Sequence, residues 1–324
     1  MNFSNTTRSI CILGGTGFVG RHLISRLAQH HFSITVLSRH PERHRDLGVI
    51  PKLKLIGANC YELKTLHKHF KSADAVINLI GILNEKGDSG KGFHKAHVEL
   101  VETIVQACDD CEVPQLLHMS ALNADAKQGP SYYLQTKGEG EETVKAAASD
   151  NLSVTVFQPS VIFGPGDKFF NRFAQLIRKT PGPIPLACPK SLLAPVYIGD
   201  VVDAIYKCIK DREWQNNTWT LCGPTEYTLK QLVKFTAAAC GHKKLVLGMG
   251  KLFSKIQARV LEMLPGQLMS RDNYRSLQVN STCKENGLIA LGIEPHSIES
   301  VVPRYLNSID SRSKYNKYRR NYTL

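Results

Sequence analysis

The chain has 324 residues, 42% of them hydrophobic, enough to bury one large core or two modest ones, which excludes a disordered or fibrous polymer. Its longest nearly continuous apolar run, Ala73 to Leu83, is broken by Asp74 and Asn78 and falls far short of the roughly 20 residues of a membrane-spanning helix. The formal charge of +13 bears on partners more than on fold: the clusters Lys64, His67, Lys68, His69, Lys71 and Arg312, Lys314, Lys317, Arg319, Arg320 suit an anionic membrane surface or an acidic protein.

In chain order, Ser9 to Leu13 is a short β-rich run, Phe18 to Ala28 has helical period, and Ser33 to Ser38 predicts a second strand. A third strand is expected at Leu53 to Ile56, a helix at Glu62 to Phe70, a fourth strand at Ala75 to Ile80 and a long helix from Lys91 to Ala107. Gln115 to Met119 predicts strand five, Tyr133 to Ala148 a helix and Ser153 to Gln158 strand six. The strands are apolar on both faces and alternate with helices, so the expected class is α/β, a Rossmann-type doubly wound parallel sheet.

Beyond Gly164-Pro165-Gly166-Asp167 the rhythm changes to a helical stretch (Phe169 to Arg178), a Pro-rich connection, a strand at Pro195 to Ile198 and a helix beginning at Asp200. Trp219 to Cys222 predicts another strand and Leu229 to Cys240 another helix. Leu252, Phe253, Ile256, Val260, Leu261 and Leu264 form one apolar helix face stopped by Pro265-Gly266, read as core rather than as a membrane anchor, or, if left open, as the lining of a cleft for an apolar substrate. The expected division is a dinucleotide-binding domain over 1–163 with 193–222 returning to its sheet, a smaller C-terminal cap from 164–192 and 223–310, and a basic tail over 311–324.

Nine cysteines, scattered and odd in number, predict no disulfide framework and fit a reducing compartment. Cys108-Asp109-Asp110-Cys111 is a lone CxxC at a helix end with no second pair, and no metal site is expected from it. Only about eight polar residues precede the first strand, so no leader is expected and the chain is read as cytoplasmic or already processed. Tyr315, Tyr318 and Tyr322 interleave with the basic tail, but no nucleic-acid motif occurs elsewhere, and nucleic acid is not an expected partner.

Gly14-Gly15-Thr16-Gly17-Phe18-Val19-Gly20 follows the first strand and opens the first helix, the context in which a glycine pattern carries meaning. Gly14 permits a tight turn, Gly17 lets backbone approach a diphosphate, and Gly20 allows close packing of the helix. The helix start offers unpaired N–H groups and the positive end of its dipole. After the second strand, NAD would want a carboxylate for the ribose 2′-hydroxyl. The chain has Ser38-Arg39, with Arg43 and Arg45 nearby, so NADP(H) is expected over NAD(H), with Arg39 on the 2′-phosphate.

Ser120 ends strand five, and Tyr133-Leu134-Gln135-Thr136-Lys137 opens the next helix with Tyr133 and Lys137 one turn apart. A phenol of ordinary pKa about 10 exchanges protons poorly at neutral pH until an ammonium stabilises its phenolate. Lys137 is the candidate for that role and for the nicotinamide ribose. Ser120 is the candidate for polarising a substrate carbonyl or hydroxyl.

These runs, together with Asn78-Leu79-Ile80-Gly81, Pro159-Ser160-Val161-Ile162-Phe163-Gly164-Pro165-Gly166-Asp167 and Pro195-Val196-Tyr197-Ile198-Gly199-Asp200-Val201, resemble the atypical extended short-chain dehydrogenases/reductases. Within that superfamily, Phe169 to Phe173, Leu264-Pro265-Gly266 and Ser270-Arg271-Asp272-Asn273 resemble the branch containing the nucleotide-carrying accessory subunit of respiratory complex I and its bacterial relatives. The resemblance implies that Leu79 and Gly81 border the adenosine half of the cofactor and Pro159, Ser160 and Val161 the nicotinamide half. Relatives often carry an Asp after the third-strand glycine, whereas Gly57 is followed here by Ala58 and Asn59. Two functions follow as expectations. One is an NADP(H)-dependent oxidoreductase or epimerase-like enzyme acting on a quinone-, isoprenoid- or lipid-like substrate. The other is a non-catalytic accessory protein holding NADPH structurally, peripheral on an inner membrane, or in the mitochondrial matrix for a processed eukaryotic chain.

Overall fold

In the computed structural model, which describes residues 8–85, 87–250, 254, 259 and 269–306, strand β1 (Arg8–Leu13) buries Ile10 and Ile12 on one face and Cys11 and Leu13 on the other. A strand covered on both faces belongs inside a sheet that carries helices on both sides. Helix α1 (Phe18–Leu27) turns Leu23, Ile24 and Leu27 onto the Ile10 face. Strands β2 (Phe32–Ser38), β3 (Leu53–Gly57), β4 (Ala75–Asn78), β5 (Gln115–Met119) and β6 (Ser153–Pro159) join it in parallel. The opposite face is covered by α2 (Leu63–Phe70), α4 (Leu100–Asp110) and α5 (Tyr132–Ala146), which pack Leu66, Phe70, Leu100, Ile104 and Val144 on Cys11, Leu13 and Val76. Fully burying each such Ile or Leu contributes about 1.5–3 kcal/mol.

After β6 the chain forms β7 (Ile162–Phe163), α6 (Phe170–Lys179), β8 (Ile184–Leu186), β9 (Leu192–Leu193) and β10 (Val196–Tyr197). Helix α7 (Ile198–Lys210) then returns to lie beside α1, and β11 (Thr218–Leu221) pairs with β6. The result is a seven-stranded parallel sheet in the order β11-β6-β5-β4-β1-β2-β3. The remainder, β12 (Tyr227–Thr228), α8 (Leu229–Ala239), β13 (Val246–Gly248), the helices Arg271–Ser276 and Gly287–Ala290 and the helical segment 298–306, forms the C-terminal cap-like extension. Its core gathers Phe163, Phe170, Leu193, Leu229, Leu232 and Val302. Thr228 and Gln231 close a capping box at the start of α8.

The sheet is the one expected from the alternating pattern, with differences at element ends. The fourth strand stops at Asn78 because the Asn78 side chain accepts the Ile80 N–H and turns the chain out of the ladder. The long helix begins as α3 (Lys91–His94) and passes through a wide π-type turn over Lys95–Glu99 before α4. Such turns gather at functional sites, and this one carries His97. The expected strand at Pro195–Ile198 shortens to β10, and helix α7 starts two residues before Asp200, whose buried carboxylate accepts the His296 N–H at 2.8 Å. A 3₁₀ segment over Pro41–Val49 had no periodicity to announce it; it is held to α1 by Arg21, which pairs with Asp46 and reaches His44.

The expectation of no disulfide is corrected, because Cys222 and Cys283 are bonded with Cα atoms 6.0 Å apart. They lie 61 residues apart in sequence and meet only when the cap crosses the end of β11, so spacing carries no signal of the pair. The apolar helix face of Leu252 to Leu264, its Pro265-Gly266 stop and the basic tail over 311–324 lie outside the described residues. Among the described residues no helix is long and apolar enough to cross a membrane.

Candidate active site

Strand β1 has β2 on one side and β4 on the other, so the chain leaves these neighbours toward opposite faces and a crevice opens beyond the carboxyl ends of the strands. The Gly14 to Gly20 loop lies there. Gly14 has φ +78°, and a Cβ on it would stand 2.8 Å from the Leu79 carbonyl carbon and 2.9 Å from the Ile80 nitrogen. A Cβ on Gly20 would meet the Gly15 Cα at 2.4 Å, so helix α1 starts directly on the loop. Its first turn has neither a capping side chain nor an acidic residue, which leaves an electropositive helix start suited to a diphosphate. Thr16 gives its carbonyl to Arg21 Nε at 3.2 Å, and Phe18 and Val19 are partly buried against the sheet core. The cradle has the shape and charge that a dinucleotide requires.

Arg39 lies just past β2 and is exposed, as are Arg43 and Arg45. Its guanidinium stands near Cys60, whose thiol burial pushes up to about 11 against the lowering effect of that charge.

Ser120 follows β5, is only 2% exposed, and holds its backbone N–H on the Phe157 carbonyl at 2.8 Å. Its hydroxyl oxygen has no hydrogen-bond partner. Lys137 is buried on α5 and donates from Nζ to the Met119 carbonyl at 2.8 Å, one residue before Ser120. Burial pushes its ammonium down to about 8, against the raising effect of Glu141. Tyr133 is half-buried, edge-on to Phe93 and His97. Loss of solvent, followed by the Asp272 carboxylate, pushes its phenol up to about 12. The Lys137 charge is directed to Met119 and the phenol is kept protonated, the state of a proton donor.

Three further residues complete the wall, none of which the sequence reading assigned to the site. His97 accepts the Ile82 N–H on Nε2 at 3.1 Å, which leaves Nδ1 to carry the proton and donate to Thr136 Oγ1 at 3.0 Å. His118 lies 3.2 Å from Asn78 Nδ2 through Nδ1, and its Nε2 has no partner. Burial, with Lys137 second, pushes His97 down to about 2 and His118 to about 3, so both rings are neutral. Asp272 accepts the N–H groups of Tyr132 and Tyr133 at 2.8 and 3.1 Å. The parity of His118 with Ser120 on one strand was the available signal for the first of these; His97 and Asp272 had none within reach of local periodicity.

The structure gathers Gly14 to Gly20, Leu79, Gly81, Ser120, Tyr133, Lys137 and Pro159 to Val161 along the same sheet edge. Leu79 abuts Gly14, whereas Gly81 stands against Lys137: a Cβ on Gly81 would lie 3.2 Å from Nζ. Ser160 donates its hydroxyl to the Ser281 carbonyl at 2.8 Å, and Val161 gives its carbonyl to Val196. Cys108 is buried between α4 and the sheet, in the cluster that holds Cys11, and Cys111 is half-buried just past the end of α4; burial raises both thiols.

The profile of the NAD dependent epimerase/dehydratase family matches residues 10–222. The mitochondrial NADH dehydrogenase (ubiquinone) 1 alpha subcomplex subunit 9 of Mus musculus is 25% identical over 315 residues, covering 95% of this chain and 80% of its own length. A ceramide reductase of Caulobacter vibrioides is 28% identical over 194 residues, 59% of this chain and 57% of its own. A ketoreductase of Stigmatella aurantiaca, named for a farnesyl-bearing dihydroquinoline oxide, is 24% identical over 174 residues, 49% of this chain and 52% of its own. Among solved structures, Pal from Bacillus thuringiensis superposes with a TM-score of 0.75 at 15% identity, covering 93% of this chain and 99% of that one. The dTDP-glucose 4,6-dehydratase DesIV from Streptomyces venezuelae, with NAD bound, gives 0.72 at 16% identity over 95% and 98%.

The expectation of NADP(H) is corrected by these structures: DesIV holds NAD, as does a UDP-glucuronic acid 4-epimerase from Bacillus cereus of the same fold, with a TM-score of 0.68 at 15% identity over 93% and 99%. The physical reason lies in Arg39, an exposed side chain on the rim whose mere presence does not require a 2′-phosphate. From its matched profile and its shared sheet, the chain belongs to the NAD-dependent epimerase/dehydratase family of extended short-chain dehydrogenases/reductases, a family of nicotinamide-dependent enzymes.

Proposed function

We propose that this protein is an NAD(H)-dependent oxidoreductase that interconverts a carbonyl and an alcohol on an apolar substrate. The observation that carries the reading is the partnerless, buried Ser120 hydroxyl beside the buried Lys137 ammonium, on the sheet edge that also holds the glycine cradle. The Gly14 to Gly20 backbone would hold the diphosphate, Leu79 and Gly81 would border the adenosine half, and Pro159 to Val161 the nicotinamide end. Bound NADH would supply the hydride. Tyr133 donates its phenolic proton to the carbonyl oxygen while Ser120 hydrogen-bonds that same oxygen, so hydride and proton together give the alcohol. Lys137 then offers its charge to the resulting phenolate.

An apolar substrate is supported by two relatives, named for a lipid and for an isoprenoid-bearing ketone. The same reading keeps the nucleotide-binding part at 1–163 with 193–222, and the cap at 164–192 and 223–310. The test is consumption of NADH, followed at its own absorbance, with long-chain 3-ketones and isoprenoid quinones as probes. Turnover that survives in Tyr133→Phe would remove the tyrosine from its role, and absence of NADH binding would end the proposal.

A second reading rests on the likeness to the mitochondrial subunit over 95% of this chain: a nucleotide held for structure, in a protein docked through its basic surfaces on a respiratory complex at the inner membrane. Slow exchange of co-purified nucleotide and co-purification with an inner-membrane complex support it; rapid exchange with no membrane partner counts against it.

A further inference from the structure

Helix α5, which carries Tyr133 and Lys137, begins with three N–H groups that its own turns cannot satisfy. The Ser131 side chain takes one of them, from Leu134 at 3.1 Å. The other two are taken by a residue from the far end of the chain. Asp272 accepts the Tyr132 N–H on Oδ1 at 2.8 Å and the Tyr133 N–H on Oδ2 at 3.1 Å. The carboxylate is 4% exposed, and Arg275 pairs with it at 3.3 Å. Around it the cap is fastened to the same spot twice more: Ser276 donates to Ser131 Oγ at 2.8 Å, and Arg275 Nη1 holds Asp88 Oδ1 at 2.6 Å in the loop after β4. Asn273 Nδ2 donates to the Leu83 carbonyl at 3.1 Å, closing the ring of contacts.

Resting on the reading of Tyr133 as proton donor, we propose that Asp272 is a positioning residue, through which the cap fixes the backbone that aims the Tyr133 ring. A two-toothed carboxylate on consecutive amides constrains both the position and the rotation of the first helical turn, which a single capping hydroxyl does not. Tyr133 is faced by Phe93 and His97 from the helix and turn before α4 and by Asp272 with its partner Arg275 from the cap, while Lys137, one turn along its own helix, donates to the Met119 carbonyl. The carboxylate thus also acts on the phenol as a nearby negative charge, favouring the protonated form.

The test compares full-length wild type with Asp272→Asn, Asp272→Ala and Asp272→Glu. The probe reaction is NADH-dependent reduction of 9,10-phenanthrenequinone, beside direct NADH binding and amide hydrogen exchange of the segment 131–137. Expected are NADH affinity within about twofold of wild type and kcat about tenfold lower in Asp272→Asn, with the alkaline limb of its pH profile moved about one pH unit lower, as removal of a neighbouring anion requires. Exchange at 131–137 should speed up about tenfold in Asp272→Ala, with partial recovery of kcat in Asp272→Glu. Unchanged kcat, pH profile and exchange in both Asn and Ala variants would overturn the proposal. Should wild type bind NADH yet reduce none of the probe, the catalytic reading fails, and exchange at 131–137 alone decides whether Asp272 holds the helix.

Discussion

Lys137 donates its ammonium to the Met119 carbonyl at 2.8 Å, while a Cβ on Gly81 would come within 3.2 Å of the same nitrogen. The charge is therefore pinned between the end of β5 and the turn after β4, the two strands that flank the crevice on the side of α5. Burial lowers its pKa to about 8 from an ordinary value of 10.5. Between those values the unfolded chain binds the proton and the folded one does not, so stability rises with pH across that window, and at neutral pH the buried charge is a cost. Lys137→Met is expected to abolish turnover yet raise stability at pH 7 by about 1–2 kcal/mol, since the lost hydrogen bond offsets part of the gain. Denaturant midpoints at pH 7 and 9.5 measure this: an advantage that fails to shrink at the higher pH contradicts the assignment.

His97 and His118 are neutral in the fold, pushed down to about 2 and 3 by burial first and by Lys137 second. Below their ordinary value near 6.5 the unfolded chain takes up protons that the folded chain refuses, so stability falls as pH drops from about 6.5 toward 3. Each ring contributes a slope of about 1.4 kcal/mol per pH unit in that range. His118→Gln should flatten the acid limb by one such increment, which denaturation at a series of pH values between 4 and 7 will read.

Gly14 combines a left-handed backbone with a backbone neighbour 2.8 Å from where a Cβ would sit. Gly14→Ala has to displace the end of β4 or distort the loop, and the positive φ alone costs about 1 kcal/mol. NADH affinity should fall by at least about tenfold, as the diphosphate cradle loses its shape. Calorimetry on the folded variant decides it, and affinity equal to wild type would separate the loop from the nucleotide.

With NAD(H) as the cofactor, wild type should bind NADH more tightly than NADPH. Arg39→Asp should widen that preference, because a carboxylate past β2 accepts from a ribose 2′-hydroxyl and repels a 2′-phosphate. Tighter binding of NADPH by the wild-type protein is the contrary result.

The Cys222–Cys283 bond closes a chain segment of 61 residues that includes α8 and the helix bearing Asp272. Its sulfur pair sits near Ser281, which receives the Ser160 hydroxyl. Reduction, or Cys283→Ser, should lower stability by about 2–4 kcal/mol on loop-closure grounds. Thermal unfolding with and without a dithiol measures the loss; identical midpoints would show that the bond does not constrain the chain.

All seven strands of the sheet and the glycine cradle could be read from the chain because each rests on local rules. Ile10 and Ile12 against Cys11 and Leu13 encode a doubly covered strand within six residues, and Gly14 to Gly20 encode a turn and a helix start within seven. Tyr133 and Lys137 were legible for the same reason, being one helical turn apart. The order of the strands, the seat of Asp272 on α5, the pairing of Cys222 with Cys283 and the burial that neutralises His97 and His118 were decided only by tertiary structure. These are contacts between residues tens to well over a hundred positions apart. Periodicity reports which face a side chain takes, and it is silent about what will meet it there. The cofactor was misread on the same ground: Arg39 states a charge, and only its exposed place on the rim shows how loosely that charge constrains what binds.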